Sequence, residues 1–237
     1  MKAYLSFGAG VNSTALMVLL RDRGIEFEAI FADTGCEWPE TYAHILWLEE
    51  HGWPITVVRG DDPRRGSDLA KYCQRYAIMP SRWLRWCTQQ YKVEPLHKHV
   101  ERPALMYLGI DAGEVSRAKP AREDWLTHEF PLVDEGINRG GCMKIIRKAG
   151  IPMPRKSGCF ICPFQRVGQW RELRDRHPDL YAVALSIEIG CNARLEQAGK
   201  ARAYLSSAAK PLASVVQEGQ QDIFGWREPC AICEVMA

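Results

Sequence analysis

The sequence predicts an α/β fold with an open parallel sheet covered by helices on both faces, followed by a smaller helical region that carries cysteines. Short apolar runs alternate with helical patterns over the first sixty residues, and such crossovers indicate parallel strands. From "GGCMKIIRKAG" onward, helices, loops and a cysteine pair replace the strands. We therefore predict an α/β domain over residues 1–135 and a basic, cysteine-rich helical region over residues 136–237.

Each element follows from its local pattern. "KAYLSF" reads as a buried strand, "STALMVLLRDRG" as a helix closed by Gly24, and "EFEAIFADTG" as a second strand. "PETYAHILWLEEHG" has Pro39 near its helical start and Gly52 just past its end, and "PITVVRG" is a third strand. Further along, "YKVEPLHKHVE" reads as a helix, "ALMYLGI" as a fourth strand and "THEFPLV" as a short fifth one.

Length and composition exclude several classes of protein. The 237 residues, 46% of them hydrophobic, suffice for a full core. No run approaches the roughly 18 to 20 apolar residues of a membrane span, and the start lacks the pattern of a secretory signal. We therefore expect a cytoplasmic protein that does not associate with membranes.

Charge is unevenly distributed along the chain, although the formal net charge is only +2. Residues 21–62 contain ten acidic and three basic side chains, whereas residues 139–176 contain ten basic and two acidic ones. The second segment is a candidate surface for phosphates, nucleic acid included. A solvated basic helix face is the alternative.

The stretch "LSFGAGVNSTAL", residues 5–16, joins the first strand to the first helix. A glycine-rich turn at this place brings backbone N–H groups and the positive end of the helix dipole together, which suits a phosphate. It lacks the lysine of a Walker A loop, and Gly8 and Gly10 supply only two glycines of a dinucleotide fingerprint. A plain strand–helix turn remains the alternative.

The turn resembles the pyrophosphate loop S-G-G-x-D-S of the ATP pyrophosphatase, or adenine nucleotide alpha-hydrolase, superfamily. In that superfamily the loop cradles the β- and γ-phosphates, so that the α-phosphorus is attacked and pyrophosphate leaves. Two positions depart from the pattern, since Gly8 replaces the first serine and Asn12 replaces the aspartate. Loss of that charge implies altered Mg²⁺ handling or a different nucleotide state.

Downstream motifs resemble the phosphoadenylyl-sulfate (PAPS) reductase-like branch of this superfamily, in the phage and bacterial form with C-x-x-C motifs. They are "FADTGCEWPET" (31–41), "RWCTQQYKVEPL" (85–96), "GIDAGEVSRA" (109–118) and the cysteine-bearing stretch 129–164. The resemblance covers about residues 3–185 and implies that residues 1–135 bind ATP, or PAPS, with Mg²⁺. The nucleotide-binding residues it implies are Ser6, Gly8, Ala9, Gly10, Asn12, Ser13, Thr14, Asp33, Thr34 and Gly109.

Three residues are candidates for catalysis. Cys87 falls where family members carry a cysteine just before a K-x-x-P element, so it is a candidate sulfur carrier or metal ligand. Lys92 and Arg117 are placed to offset charge on the α-phosphate or on a substrate anion. Surface salt bridges are the alternative for both.

Two C-x-x-C pairs, Cys159 with Cys162 and Cys230 with Cys233, predict a four-thiolate metal site. Such a site suits either Zn²⁺ or an iron–sulfur cluster, and two unpaired turns are the alternative. The family resemblance favours a [4Fe-4S] cluster over zinc. The cysteines without a partner at metal spacing are predicted to be buried apolar residues: Cys36, Cys73, Cys142 and Cys191.

The resemblance implies an enzyme that adenylates a substrate oxygen, releases pyrophosphate and lets sulfur displace AMP. Its partners would be a tRNA or DNA substrate and a sulfur donor protein. One alternative is a PAPS or adenylyl-sulfate reductase, although the tail "REPCAICEVMA" lacks the glycine and histidine of the E-C-G-x-H motif. Another is a non-catalytic nucleotide- or nucleic-acid-binding module with structural zinc.

Overall fold

A computed structural model describes residues 1–217, and this part of the chain forms a five-stranded sheet in the order β3-β2-β1-β4-β5. Every neighbouring pair is parallel, with Leu5 of the central strand opposite Ala29 on one side and Tyr107 on the other. The predicted open parallel sheet is therefore confirmed. The strands are β1 Lys2–Ser6, β2 Glu28–Asp33, β3 Thr56–Arg59, β4 Ala104–Leu108 and β5 Leu126–Glu129.

The helices lie between and after the strands. A π-helical turn, Gln89–Val93, joins α4 to α5, and a 3₁₀ segment, Ala112–Arg117, follows β4. The α-helices are α1 Val11–Asp22, α2 Pro39–Glu50, α3 Leu69–Tyr76, α4 Trp86–Thr88, α5 Glu94–His99, α6 Pro131–Asp134, α7 Arg139–Lys148, α8 Val167–Arg176, α9 Pro178–Gln197 and α10 Leu212–Gln217. None of these helices combines the length and apolar composition needed to cross a membrane.

Both faces of the sheet are covered. Successive strand residues point to opposite sides of the sheet, so one strand contributes to two cores. On β1, Leu5 enters a core shared with α1 and α7, whereas Tyr4 enters a separate core with Val100 beyond α5. Helix α7 lies beyond the predicted boundary at residue 135, yet it packs along α1 through Cys142 and Ile146. The division into two units stays a prediction.

A third core forms next to the sheet from α3, α8, α9 and α10, which confirms the predicted helical region after the strands. Trp38, Trp170 and Tyr181 are buried in it. The four cysteines without partners at metal spacing are buried, as predicted from sequence: Cys36, Cys73, Cys142 and Cys191.

The chain order reverses between β1 and β4, and this reversal positions the site. Strands β2 and β3 lie on one side of β1, and β4 and β5 lie on the other. In open α/β sheets, the loops leaving two such strands splay apart and open a crevice at their carboxyl ends. The glycine-rich turn after β1 and the loop after β4 both lie at this crevice.

Candidate active site

The glycine-rich turn, residues 7–14, is called the phosphate turn below, and local hydrogen bonds shape it. Gly10 is the N-cap of α1, and its carbonyl accepts from the Thr14 amide at 2.9 Å. The Ser13 hydroxyl accepts from the Gly10 amide at 3.2 Å and donates to the Gly10 carbonyl at 3.1 Å. Ala9 adopts a left-handed backbone, φ 52°. Such a turn aims backbone N–H groups at one point in front of the helix.

Two other segments approach the phosphate turn closely, one through a serine hydroxyl and one through its backbone. A Cβ on Gly10 would lie 2.7 Å from the Ser157 hydroxyl oxygen. A Cβ on Gly109, just after β4, would lie 2.9 Å from both the amide nitrogen and the Cα of Ser13. The turn therefore lies between the cysteine-bearing segment and the loop that follows β4, in contact with both.

Asn12 contacts a carboxylate at the sheet's switch point. Its side-chain amide nitrogen donates to Asp111 Oδ2 at 2.8 Å, while Asp111 Oδ1 accepts from the Gly113 amide at 2.8 Å. Asp111 is buried, and among residues 1–217 the buried Asn12 Oδ1 has no hydrogen-bond partner. A carboxylate thus lies next to the turn although the turn itself carries the neutral residue.

Both carboxylate oxygens of Asp33, at the end of β2, are engaged in contacts within the protein. Its Oδ1 accepts from the Gly35 amide and the Tyr42 hydroxyl, each at 2.8 Å, and its Oδ2 lies 2.6 Å from an Arg59 guanidinium nitrogen. Burial and the Asp33 carboxylate together raise the pKa of Tyr42. Asp33 thereby holds the turn after β2 in place, and its predicted role towards the nucleotide stays a prediction.

Thr34 connects that turn to the cysteine-bearing segment. Its hydroxyl oxygen lies 3.3 Å from Cys36 Sγ and 3.2 Å from Cys159 Sγ, and it donates to Glu37 Oε1 at 3.1 Å. The backbone adds a bridge between Glu37 and Cys159, and the Phe160 amide donates to the Cys36 carbonyl at 2.8 Å. These contacts attach the first cysteine pair to the carboxyl end of β2.

An ion pair between the buried Glu37 carboxylate and the partly exposed Lys92 ammonium lies against these thiols. Lys92 Nζ is 3.0 Å from Glu37 Oε1, and Cys159 Sγ donates to the same oxygen at 3.4 Å. Burial alone would lower the pKa of the Lys92 ammonium, but the Glu37 carboxylate outweighs burial and raises it. Lys92 therefore stays charged. We call this group the thiol crevice; its members are Thr34, Cys36, Glu37, Cys87, Lys92, Cys159 and Cys162.

Three thiols of the crevice, Cys36, Cys87 and Cys162, are poor nucleophiles as they stand. Burial, with a further contribution from Cys159, raises the pKa of Cys162 to about 11 and also raises the pKa values of Cys36 and Cys87. Within the described part of the chain, no three His, Cys, Asp or Glu side chains are arranged to hold a metal ion. Cys230 and Cys233 lie outside the described residues, so the four-thiolate site stays a prediction.

The structure brings some of the predicted site residues together and leaves others apart. Cys87, Lys92 and the first cysteine pair come together in the thiol crevice, although α4 and the π-helical turn are far from residues 159–162 in sequence. Arg117 lies on the exposed 3₁₀ segment and pairs with Glu114 at 2.7 Å. Its predicted catalytic role is thus without a described contact to the crevice.

Several site residues escaped sequence reasoning. Glu37 and Asp111 each come shortly after a parallel strand, and an acidic residue at that position is a signal that could have been used. Ser157 and Cys36 carry no such signal, because their contacts come from distant segments. His44, buried on α2 with Nε2 3.2 Å from the Thr14 hydroxyl, supports the phosphate turn from behind.

Sequence comparison identifies relatives of this chain. Two uncharacterized proteins of Methanocaldococcus jannaschii are 26% and 22% identical to it over 201 and 194 residues. These alignments cover 75% and 74% of this chain but 39% and 45% of the relatives. The chain therefore spans less than half the length of the curated relatives it matches.

Solved structures with a similar fold include the PAPS reductase of Candida auris in a phosphate complex, with a TM-score of 0.50 and 13% identity over 65% of this chain and 75% of that one. The U34-tRNA thiolase NcsA of Methanococcus maripaludis, with its [4Fe-4S] cluster, gives a TM-score of 0.46 and 15% identity over 93% and 82%. The phosphoadenosine phosphosulfate reductase domain family matches residues 2–119, which include the phosphate turn and the first four strands. Residues 2–119 therefore belong to the phosphoadenosine phosphosulfate reductase domain family.

Proposed function

We propose that this protein is an adenine-nucleotide-dependent enzyme that activates a substrate by adenylation for sulfur transfer. The proposal rests chiefly on one observation, that the phosphate turn and the thiol crevice adjoin. Ser157, two residues before Cys159, approaches the turn so closely that its hydroxyl oxygen would lie 2.7 Å from a Cβ on Gly10. A nucleotide held by the turn would place its phosphates beside sulfur.

The phosphate turn, together with the neighbouring Asp111, suits ATP with Mg²⁺. Backbone N–H groups and the N-terminus of α1 attract the anionic phosphates. The Asp111 carboxylate and the Asn12 Oδ1, which has no hydrogen-bond partner among residues 1–217, are oxygen atoms of the kind that Mg²⁺ prefers. Asp111 would supply the negative charge that the turn lacks at Asn12, which favours a working site over a non-catalytic module.

The proposed reaction balances in two steps. A substrate oxygen attacks the α-phosphorus of ATP, the bond from that phosphorus to the β-bridging oxygen breaks, and pyrophosphate leaves. Hydrosulfide supplied by a donor protein then attacks the activated carbon, the carbon–oxygen bond breaks, and AMP leaves. Lys92, which keeps its charge beside Glu37, would offset negative charge in the crevice. Arg117 remains a candidate for the same role.

Cys159 and Cys162, with Cys230 and Cys233, are the proposed ligands of a [4Fe-4S] cluster, with zinc as the alternative. Thiolates suit both metals. Cys87, close to the first pair, is the proposed sulfur carrier or a replacement ligand. A bound cluster would supply a site that holds or polarises sulfur near the nucleotide.

A second candidate function is the reduction of PAPS or adenylyl sulfate, favoured by the reductase domain over residues 2–119. It would use the same phosphate turn without cleaving ATP. The tRNA or DNA acceptor and the sulfur donor protein also remain proposals, since the chain spans less than half of its curated relatives.

Pyrophosphate exchange separates these functions. The purified full chain is incubated with ATP, Mg²⁺ and labelled pyrophosphate, with tRNA or DNA added as acceptor, and in parallel with PAPS and a thiol reductant. Adenylation predicts label in ATP, and its loss in Gly109→Ala, whose added methyl would lie 2.9 Å from backbone atoms of Ser13 in the phosphate turn. Gly190→Ala is the matched control, since no atom lies within 4 Å of its Cβ position. Turnover of PAPS alone would establish the reductase, and no turnover of either would contradict both.

Anaerobic purification tests the cluster. We expect iron, acid-labile sulfide and visible absorption that are lost in Cys159→Ala. Cys191→Ala, a buried thiol on α9, is the control and should retain them. Stoichiometric zinc in a colourless protein would contradict the cluster.

A further inference from the structure

An exposed aromatic and basic surface lies beside the thiol crevice and has no role in the site described above. It consists of Arg82, Trp83, Leu84 and Arg85, just before α4, and of Phe164, just after the first cysteine pair; we call it the Trp83 patch. The exposed fractions of its apolar side chains are 94% for Trp83, 79% for Leu84 and 48% for Phe164. Adjoining exposed apolar side chains of this size mark interaction surfaces.

The two loops of the patch meet through cation–π contacts. The guanidinium carbons of Arg82 and Arg85 lie 5.2 Å and 5.8 Å from the centre of the Phe164 ring. Neither guanidinium pairs with a carboxylate of residues 1–217. Positive charge is therefore available directly over an exposed aromatic ring.

Local hydrogen bonds fix the turn that presents Trp83. The Ser81 hydroxyl accepts from the Trp83 and Leu84 amides at 3.3 Å and 3.2 Å. Arg85 then takes a left-handed backbone, φ 47°, immediately before α4. The turn is thus held at its base, and its large side chains project into solvent rather than into the core.

The surrounding charge favours a polyanion. Residues 69–93 contain five basic side chains and no acidic one, and residues 136–171 contain eight basic side chains and no acidic one. These two acid-free segments converge where Cys87 lies near Cys162. Lys71, Lys92 and Arg155 are paired with carboxylates, but the other basic side chains of the two segments still favour the approach of a strand of phosphates.

We infer that the Trp83 patch binds nucleic acid with unpaired bases. Bases would stack on Trp83 and Phe164, and phosphates would lie against Arg82 and Arg85, because stacking on a protein ring requires a base that is free of its own stack. The inference rests on the proposed function, for which it names the acceptor class. Cys87 lies two residues after Arg85, so a bound base would lie next to the thiol crevice.

Oligonucleotide binding tests the inference in the full chain. The probe is a fluorescein-labelled oligo(dT) of about fifteen nucleotides, compared with the same strand paired to oligo(dA). We expect the single strand to bind more tightly than the duplex, and Trp83→Ala to weaken its binding by about 5- to 150-fold. Arg82→Ala/Arg85→Ala should reduce the salt dependence, the slope of log K against log salt, by about 1.4.

Two matched controls and one separate readout complete the test. Ile189→Ala removes another exposed apolar side chain, 67% exposed on α9, and should leave Kd unchanged. Lys119→Ala/Arg122→Ala removes two exposed charges outside both acid-free segments and should act much less than the arginine pair of the patch. A Trp83→Ala effect no larger than that of Ile189→Ala, or equal binding of strand and duplex, would overturn the inference. Pyrophosphate exchange by the unaltered chain, with tRNA or DNA as acceptor, reports separately on the proposed function.

Discussion

The phosphate turn is one continuous piece of chain between β1 and α1, whereas the thiol crevice draws side chains from three separate segments. In the turn, backbone meets backbone, as where Gly109 touches Ser13. In the crevice, the contacts run between side chains, with Thr34, Lys92 and Cys159 all around one buried carboxylate. The turn depends on the absence of side-chain volume, and the crevice depends on a balance of charge.

Because of this difference, we expect the turn to be sensitive to added side-chain volume and the crevice to be sensitive to the loss of a charge. A small apolar addition should damage the turn, because backbone atoms cannot move aside without shifting β1 or β4. The same addition is tolerable in the crevice, but the removal of one charge leaves its partner buried and unpaired. The following substitutions test this division, in order of expected effect.

Gly109→Ala should have the largest effect. Its new methyl would lie 2.9 Å from two backbone atoms of Ser13, so we expect a loss of about 3 kcal/mol in the free energy of unfolding. Urea denaturation measures it, with Gly190→Ala as the control, which should be neutral or stabilising by up to about 1 kcal/mol. A Gly109→Ala protein as stable as this control would show that the turn accepts volume.

Lowering the pH should reduce the free energy of unfolding by a similar amount, through His44, which lies against the phosphate turn. Burial lowers the pKa of His44 to about 4, from about 6.5 in the unfolded chain. Between these values the unfolded state binds more protons, so stability falls as the pH drops from about 6.5 to 4, by up to about 3 kcal/mol. Urea denaturation at pH 7 and pH 4.5 should show this loss, and His44→Gln should show a smaller one. An equal loss in both proteins would exclude His44 as the cause.

Lys92→Met should have the smallest of the three effects. It leaves the Glu37 carboxylate buried without its cation, but the Lys92 side chain is 37% exposed, so we expect about 2 kcal/mol rather than the larger cost of a fully buried pair. Glu37→Gln/Lys92→Met should recover most of this loss, because no unpaired charge remains. If the double variant is as unstable as Lys92→Met, volume rather than charge governs the crevice.

Sequence reasoning recovered the sheet and the phosphate turn because both rest on short-range patterns. Each strand is marked by an apolar run, and the turn's glycines, Gly8 and Gly10, lie within five residues of Ser13. The same reasoning placed Cys87 and Lys92 in the site through the family resemblance. It did not find Glu37 or Ser157, whose contacts span 55 residues to Lys92 and well over 100 residues to Gly10.

The sequence by itself determined the parallel sheet, the helices on both faces, the position of the phosphate turn and the burial of four isolated cysteines. Tertiary structure alone decided that Asp111 places a carboxylate against Asn12, that Asp33 is occupied within the protein, and that the first cysteine pair attaches to the end of β2. Hydrophobic period and turn chemistry are local and can be read from the chain. Pairings across the switch point depend on which loops the folded sheet brings together, and no local pattern records that.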